Sequence, residues 1–357
     1  MEDLGMNKLS FWNGKRIFIT GHTGFKGSWL CKILEFAGAD VIGYALEPTI
    51  EPNLFNICKP KVHSFTGDIR DFDTLYSSFI SAKPEIVIHM AAQPLVLDSY
   101  ENPMYTYDVN VMGTVNILEC VRQSKDTPCC VLNVTTDKVY LNKEQPNGYS
   151  EDEQLNGYDP YSNSKSCSEL VTSSYNNSFL KQAGIAVSTA RSGNVIGGGD
   201  FSENRLIPDC ARAAFTGSNI SIRNPNSIRP YQHVLDTLFA YLLIVQKQYE
   251  NPSYADCYNI GPAEFDCKSS ADLASLFCAA WGDGLLWKNT AVDNPHESGT
   301  LRLDCRKMNS TFDWNPVWNI DVAIEKTVSW YREYARHGDI MEFMQQQIND
   351  FILRKSY

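Results

Sequence analysis

Along its first half the chain alternates short β-branched and aliphatic runs with longer stretches whose polarity suits a helix. The apolar runs are Arg16–Thr20, Val41–Ala45, Ile86–Met90 and Val131–Thr135, with a fifth at Val187–Arg191. Between them Gly24–Ala37, Asp71–Ala82, Met104–Gln123 and Tyr161–Gln182 are each long enough for a helix. Strands that are apolar throughout are covered on both faces, so the pattern predicts a parallel sheet between two helical layers. Right-handed crossovers then give a doubly wound, Rossmann-like α/β domain. After Ser192 the rhythm breaks, and Gly197-Gly198-Gly199, Asn224–Pro230 and Asn259–Pro262 punctuate shorter elements. Residues 1–191 are therefore read as the dinucleotide-binding domain, with about 232–260 returning to it. Residues 192–357 are mostly a smaller substrate-binding domain, and Val322–Tyr334 is expected as a closing helix.

Composition narrows the classes. The 357 residues are 43% hydrophobic, enough to bury a sizeable core in about two domains. A net charge of −11 argues against nucleic acid or an anionic membrane as partner, because phosphate backbones call for a basic surface. Eleven cysteines form no Cys-x-x-Cys pair and six histidines no ligand spacing, so reduced thiols and no metal are expected. Met1–Asn13 carries Glu2, Asp3 and Lys8 rather than an apolar leader. No later stretch reaches the ~18 apolar residues of a membrane span, so a cytoplasmic protein is expected.

Gly21, Gly24 and Gly27 form G-x-x-G-x-x-G between the first strand and an apolar helix. A dinucleotide pyrophosphate needs such a turn, where the backbone comes close and a helix N-terminus offers unpaired amides. A tight strand-to-helix turn would need the same glycines, so the context carries the assignment. The second strand ends Gly43-Tyr44-Ala45-Leu46 without an acid for the ribose, Glu47 follows, and no arginine awaits an extra phosphate; NAD is favoured over NADP. Tyr161 and Lys165 are spaced i, i+4 at the start of a helix and share a face. A phenol ionises near pH ~10, and a neighbouring ammonium together with a positive nicotinamide should lower that. Upstream, Thr135-Thr136-Asp137-Lys138 ends a strand, which is where ligands sit in such sheets. Thr136 is placed to bond the hydroxyl that Tyr161 deprotonates, with Asp137 and Lys138 as acid and base beside it. Solvated charges on a turn and on a helix surface are the plain alternative.

Five motifs together resemble the extended short-chain dehydrogenase/reductase (epimerase/dehydratase) family. They are G-H-T-G-F-K-G-S-W-L at Gly21–Leu30, M-A-A-Q-P-L-V at Met90–Val96, T-T-D-K-V-Y at Thr135–Tyr140, Y-D-P-Y-S-N-S-K at Tyr158–Lys165 and R-S-G-N-V-I-G-G-G-D at Arg191–Asp200. The resemblance runs from about Phe11 to the terminal region. Within the family, Thr-Asp-Lys at Lys138, where dTDP-glucose dehydratases have Thr-Asp-Glu, is similar to the enzymes acting on CDP-glucose. So is Arg223–Asp236.

The resemblance implies a sugar-nucleotide 4,6-dehydratase, a lyase that regenerates tightly held NAD. It implies cofactor contacts from Gly21, Thr23, Gly24, Phe25, Lys26, Gly27, Asp68, Ile69, Ala91, Ala92, Gln93, Asn110, Tyr161 and Lys165. Thr136, Asp137, Lys138, Tyr161 and Lys165 are the implied catalytic set, and Gln93, Asn194, Arg205, Arg229 and His233 hold the substrate. Lys138 is either the base at sugar C5 or a cation stabilising the enolate. The Met104–Gln123 and Tyr161–Gln182 helices are those through which relatives dimerise, so a homodimer or a dimer of dimers is expected. The rival readings are a dTDP- or GDP-sugar dehydratase, a 4-epimerase or reductase on the same scaffold, and a non-catalytic NAD-binding protein.

Overall fold

The computed structural model describes residues 9–126, 128–145, 147–290 and 300–354. The N-terminal stretch read for a leader thus lies largely outside the described residues. Six strands follow in chain order as β1 (Arg16–Thr20), β2 (Asp40–Ala45), β3 (His63–Thr66), β4 (Ile86–His89), β5 (Cys130–Val134) and β6 (Ala186–Ser192), and β7 (Cys257–Ile260) completes the set. All pair in parallel in the order β7-β6-β5-β4-β1-β2-β3. The fold is the doubly wound α/β architecture expected, and the strand order reverses between β1 and β4.

Alternation along the strands builds two cores. Ile17, Ile19, Ile86, Ile88, Leu132 and Val134 point to one face, where they meet the helix α1 (Phe25–Phe36) through Trp29, Leu30 and Ile33. Phe18, Val87, Val131 and Val187 point to the other, against Phe79 of α2 (Phe72–Ala82) and Ile117 and Leu118 of α3 (Gly113–Gln123). A fully buried side chain of this size contributes ~1.5–3 kcal/mol, so a charge at any of these positions would break the layer. Local signals set the helix ends. The Asp71 side chain accepts the Thr74 amide to start α2, and Lys83 in the left-handed region (φ 44) stops it.

Three expectations shift. The single helix read at Met104–Gln123 is instead a short turn at Pro103–Tyr107, a π-helical turn at Asp108–Met112 and then α3. The one read at Tyr161–Gln182 is α4 (Pro160–Tyr175), continued by a π turn at Asn176–Leu180. Strands β3 and β7 were not expected. The polar-rich β3 forms the sheet edge with all four residues exposed, while β7 follows a long buried helix at Val234–Glu250. The closing helix spans Ile320–Ala335 with Trp330 and Tyr331 buried, and a further helix, Ile340–Arg354, packs after it.

Candidate active site

The three glycines do different jobs. Gly21 has φ +76 and a Cβ there would lie 2.8 Å from the Ala91 amide nitrogen; one on Gly27 would lie 2.3 Å from the Gly21 carbonyl oxygen. Both are required by backbone packing alone. Gly24 is exposed, and a Cβ there would meet only the Gly21 oxygen, at 3.5 Å. It caps the N-terminus of α1. An open, side-chain-free step beside unpaired helix amides is the cradle a pyrophosphate needs, and the residues present fit a dinucleotide.

Around that loop the side chains are tied down. The Thr20 hydroxyl accepts the Met90 and Ala91 amides, fixing Ala91 beside Gly21. Thr23 donates to the Leu46 carbonyl (2.9 Å) and exposed Glu47 accepts from Thr66 (2.6 Å). The Asp68 carboxylate, ahead of buried Ile69, takes the Arg70 guanidinium at 2.6 Å, which holds it below the usual carboxylate range. His22 is packed against Gly43, and burial lowers its pKa to about 4.

On the other side of the crevice the π turn aims Asn110 inward. Its carbonyl accepts the Gln93 amide N–H (2.8 Å), and its amide donates to the Gln93 carbonyl and to Ser164. The Gln93 side chain bonds Thr106 and the Leu95 backbone. Gln93 and Asn110 therefore shape the Pro94–Leu97 wall of the cleft rather than line it, a correction to the expectation that Gln93 faces the sugar. His233 needs a larger one. It is fully buried between Trp29 and Trp318, and its Nδ1 accepts the Leu235 amide to cap the Val234–Glu250 helix, so it does not reach the cleft.

That cleft, about 390 Å³, opens at the carboxyl ends of β5 and β6. Thr136, Lys138, Tyr161, Asn194, Arg205 and Arg229 line it, together with Phe25 and Lys26 from the glycine loop. Asp159 and Pro160 start α4, the Asp159 carboxylate accepting the Ser162 amide at 2.9 Å, and this places Tyr161 at the first turn facing β5. Lys165, one turn on, donates to the Val134 carbonyl (3.2 Å).

Burial pushes the Tyr161 phenol up, opposed by the Lys138 ammonium, the Thr136 hydroxyl and the Arg205 guanidinium. Desolvation of the phenolate outweighs these neighbouring groups. The same burial lowers Lys165 to about 8. Asp137 is wholly buried; its Oδ1 receives the Thr136 hydroxyl and the Lys138 ammonium, both at 3.0 Å, while Oδ2 has no partner among the described residues. Lys138 also donates to Asn194 (3.3 Å). Arg205 pairs with Asp200 at 3.3 Å, and Arg229 is buried at the cleft wall.

The sequence reading missed three groups. Arg223 lines the cleft; it opens the Arg223–Asp236 stretch that carries the resemblance, which assigns it no role. Behind the cleft, buried Glu169 on α4 accepts both nitrogens Nε and Nη2 of Arg191 (3.0 Å each), the Thr189 hydroxyl and the Thr135 hydroxyl. Arg191 also donates to the Tyr140 hydroxyl, which donates to Asn259 at 2.6 Å. A lone acid in a helix and an arginine at a strand end give no sign of each other until the fold joins them. Asn259, open as turn former or ligand, is a buried brace.

A glycine-loop Rossmann sheet with tyrosine, lysine and a Thr-Asp turn around one cleft defines the short-chain dehydrogenase/reductase class. Within it the chain belongs to the GDP-mannose 4,6-dehydratase family, whose model matches residues 18–327. It is 45% identical to CDP-glucose 4,6-dehydratase of Salmonella typhimurium, over 96% of this chain and 98% of that protein. Its fold is similar to UDP-glucose 4-epimerase of Thermus thermophilus solved with NAD (TM-score 0.78, 25% identity, 89% of this chain and 99% of that one). It is also similar to dTDP-glucose 4,6-dehydratase of Bacillus anthracis with NAD (TM-score 0.75, 23% identity, 92% and 100%). Among the described residues no helix is long and apolar enough to cross a membrane.

Proposed function

We propose that this enzyme is a hydro-lyase converting CDP-glucose to its 4-dehydro-6-deoxy sugar. The observation that carries the reading is Lys138, which lines the cleft that Tyr161 also lines and is bonded to Asp137 buried behind it. An epimerase or reductase needs the tyrosine and lysine but not this pair. NAD held at the glycine loop supplies the hydride acceptor at C4 and the hydride donor at C6. Tyr161 takes the proton of the 4-hydroxyl, with Thr136 and the ammonium of Lys165 holding the negative charge in place. Oxidation at C4 acidifies C5–H.

Lys138 and Asp137 then act on one proton held between them. With it on Asp137, the amine is free to take the C5 proton and the carboxylic acid to protonate the departing 6-hydroxyl. The pair emerges as ammonium and carboxylate, the ion pair seen in the structure at 3.0 Å. As hydride returns to C6 the ammonium gives its proton back to C5. The proton first taken by Tyr161 passes to Asp137 through the Thr136 hydroxyl, which bonds both, to reset the pair. This removes the difficulty of a lysine base, whose ordinary pKa is ~10, because the pair needs no net loss of charge. Asn194, Arg205 and Arg229 hold the diphosphate, two neighbouring anions that suit guanidinium forks.

Exposed Met104, Met112, Leu170 and Phe179 on the Pro103–Tyr107, Asp108–Met112, α4 and following π segments support a homodimer through these helices. Eleven free thiols suit a cytoplasmic site. The domain division at about residue 191, with β7 and the Val234–Glu250 helix joining the first part, is part of the same proposal.

The test is incubation with CDP-, dTDP-, UDP- and GDP-glucose, followed by mass spectrometry. Loss of water from CDP-glucose is expected. Loss from another nucleotide only would move the substrate, and isomerised or reduced sugar without loss of water would overturn the dehydratase reading.

A further inference from the structure

The cleft runs on past Arg205 to the short strand Ile220–Ile222, where Asp209, Ser221, Ile222 and Arg223 line it. Asp209 stands one turn after Arg205 on the Leu206–Thr216 helix, its amide bonded to the Arg205 carbonyl at 2.9 Å. That turn, ~5.4 Å, carries it away from the reacting end. The electrostatics agree. The charged groups acting on Tyr161 are Lys138, Arg205 and Asp137, whereas those acting on Asp209 are Arg212, Arg223 and Glu203. A nucleotide whose sugar meets Tyr161 and whose diphosphate meets Arg205 therefore brings its base to Asp209.

Three other carboxylates line the cleft. Asp159 is committed to the Ser162 amide and hydroxyl, and Asp200 to the Ser202 amide and Arg205. Asp98 is exposed on the Val96–Glu101 helix, beside Leu95 and Leu97. Asp209 is different. Its Oδ1 takes the Arg212 guanidinium, which is itself anchored on the Phe201 and Ser202 carbonyls (3.1 and 3.2 Å). Its Oδ2 has no hydrogen bond among the described residues. Burial raises the carboxyl against the pull of Arg212 and Arg223, so the charge is poorly solvated where it stands. A first helical turn favours an acid and explains the ion pair, but not a fixed acceptor left open at the cleft.

We propose that Asp209 reads the base: its open carboxylate oxygen accepts the 4-amino group of cytosine and rejects bases with a carbonyl there. The inference rests on the nucleotide-sugar reading of the cleft and adds the residue that selects the nucleotide. Cytosine and uracil are the same size and differ on one edge. Cytosine has an amine at C4 and a bare N3; uracil, like thymine, has a carbonyl at C4 and a proton on N3. A carboxylate only accepts, so it pairs with the amine and leaves a facing O4 unbonded. Leu206 and Ile222 line the same end and offer apolar cover for the ring.

The experiment is competition between CDP-glucose and UDP-glucose for the full-length enzyme with NAD, read by mass spectrometry as water lost from each. The ratio of the two kcat/KM values is independent of the folded fraction, so wild type, D209N and D209A compare directly. Wild type should favour CDP-glucose by about tenfold to a hundredfold, the worth of a base-edge contact. D209N, whose amide can accept or donate, and D209A, which does neither, should bring the two substrates to near parity. Equilibrium binding of CDP and UDP by the same proteins should give the same ratios without turnover. A preference kept in both variants overturns the role of Asp209 and leaves the dehydratase reading standing. So does a wild type that dehydrates the two equally or prefers UDP-glucose. Water lost from neither by wild type overturns the dehydratase reading, and a wild type that also binds neither nucleotide overturns this inference with it.

Discussion

Two pairs of opposite charge flank α4, and they are built differently. Behind the helix, Arg191 and Glu169 form a two-pronged pair in which the carboxylate also takes two hydroxyls, and the guanidinium reaches Tyr140 and a backbone carbonyl. In front, Lys138 makes one bond to Asp137, which leaves a buried oxygen without a partner among the described residues. A saturated buried pair has nothing left to give and fixes geometry; an unsaturated one sits in a state that substrate can complete. The first clamps β5, β6 and α4 together. The second is the place where protons move.

Removing the front pair should cost chemistry without costing the fold. D137N should slow dehydration by roughly 10²–10⁴-fold, the usual worth of a positioned acid or base. Reduced nicotinamide should still form from CDP-glucose, measured by its ultraviolet absorbance, because the C4 step does not use the carboxyl group. Normal loss of water from D137N would remove Asp137 from the mechanism.

The back pair should show the reverse. R191M leaves Glu169 charged, buried and without its guanidinium, at a cost of about 3–5 kcal/mol of stability by denaturant melting. Whatever variant remains folded should keep both half-reactions coupled. A folded R191M that oxidises C4 but no longer eliminates water would blur the division between the two pairs.

Between them lies Lys165, buried and lowered to about 8. Its folded value is depressed, so the unfolded chain binds more protons between about 8 and the ordinary ~10.4. The desolvation penalty is fully present below pH 8 and is relieved as pH rises through that window. K165M should therefore be more thermally stable than wild type at pH 7, an advantage that shrinks toward pH 10, while C4 oxidation slows. A K165M protein no more stable than wild type at pH 7 would mean that the Val134 bond outweighs the burial.

The smallest effect concerns His233. H233A should lose a helix cap worth about 0.5–2 kcal/mol, with KM for the sugar nucleotide unchanged and H233N recovering part of the stability. A raised KM in a stable H233N would restore His233 to the substrate site.

What the sequence discloses follows from the same physics. β1 and the neighbouring inner strands are legible because burial on both faces demands continuous apolar residues. β3, at the edge with His63 to Thr66 exposed, carries no such mark. The glycine loop and the Tyr161–Lys165 pair are legible because their spacing is local. Glu169 and Arg191 are not, since the chain between them is silent about their meeting. The π turn at Asp108–Met112 differs from a helix by one residue of register, which hydrophobic period cannot resolve, yet it is what turns Asn110 toward Gln93. Gln93 and His233 were over-read for the opposite reason: a polar residue in a motif looks like a ligand until its bonds to the backbone are seen.

The most direct test of the central claim is a double-mutant cycle on Lys138 and Asp137, read as the single-turnover rate of water loss from CDP-glucose. If the two side chains hold one proton as a unit, K138M, D137N and the double variant should be equally slow, with reduced nicotinamide forming in all three. Independent losses that multiply in the double variant would contradict a shared proton and return Lys138 to a separate, purely electrostatic role.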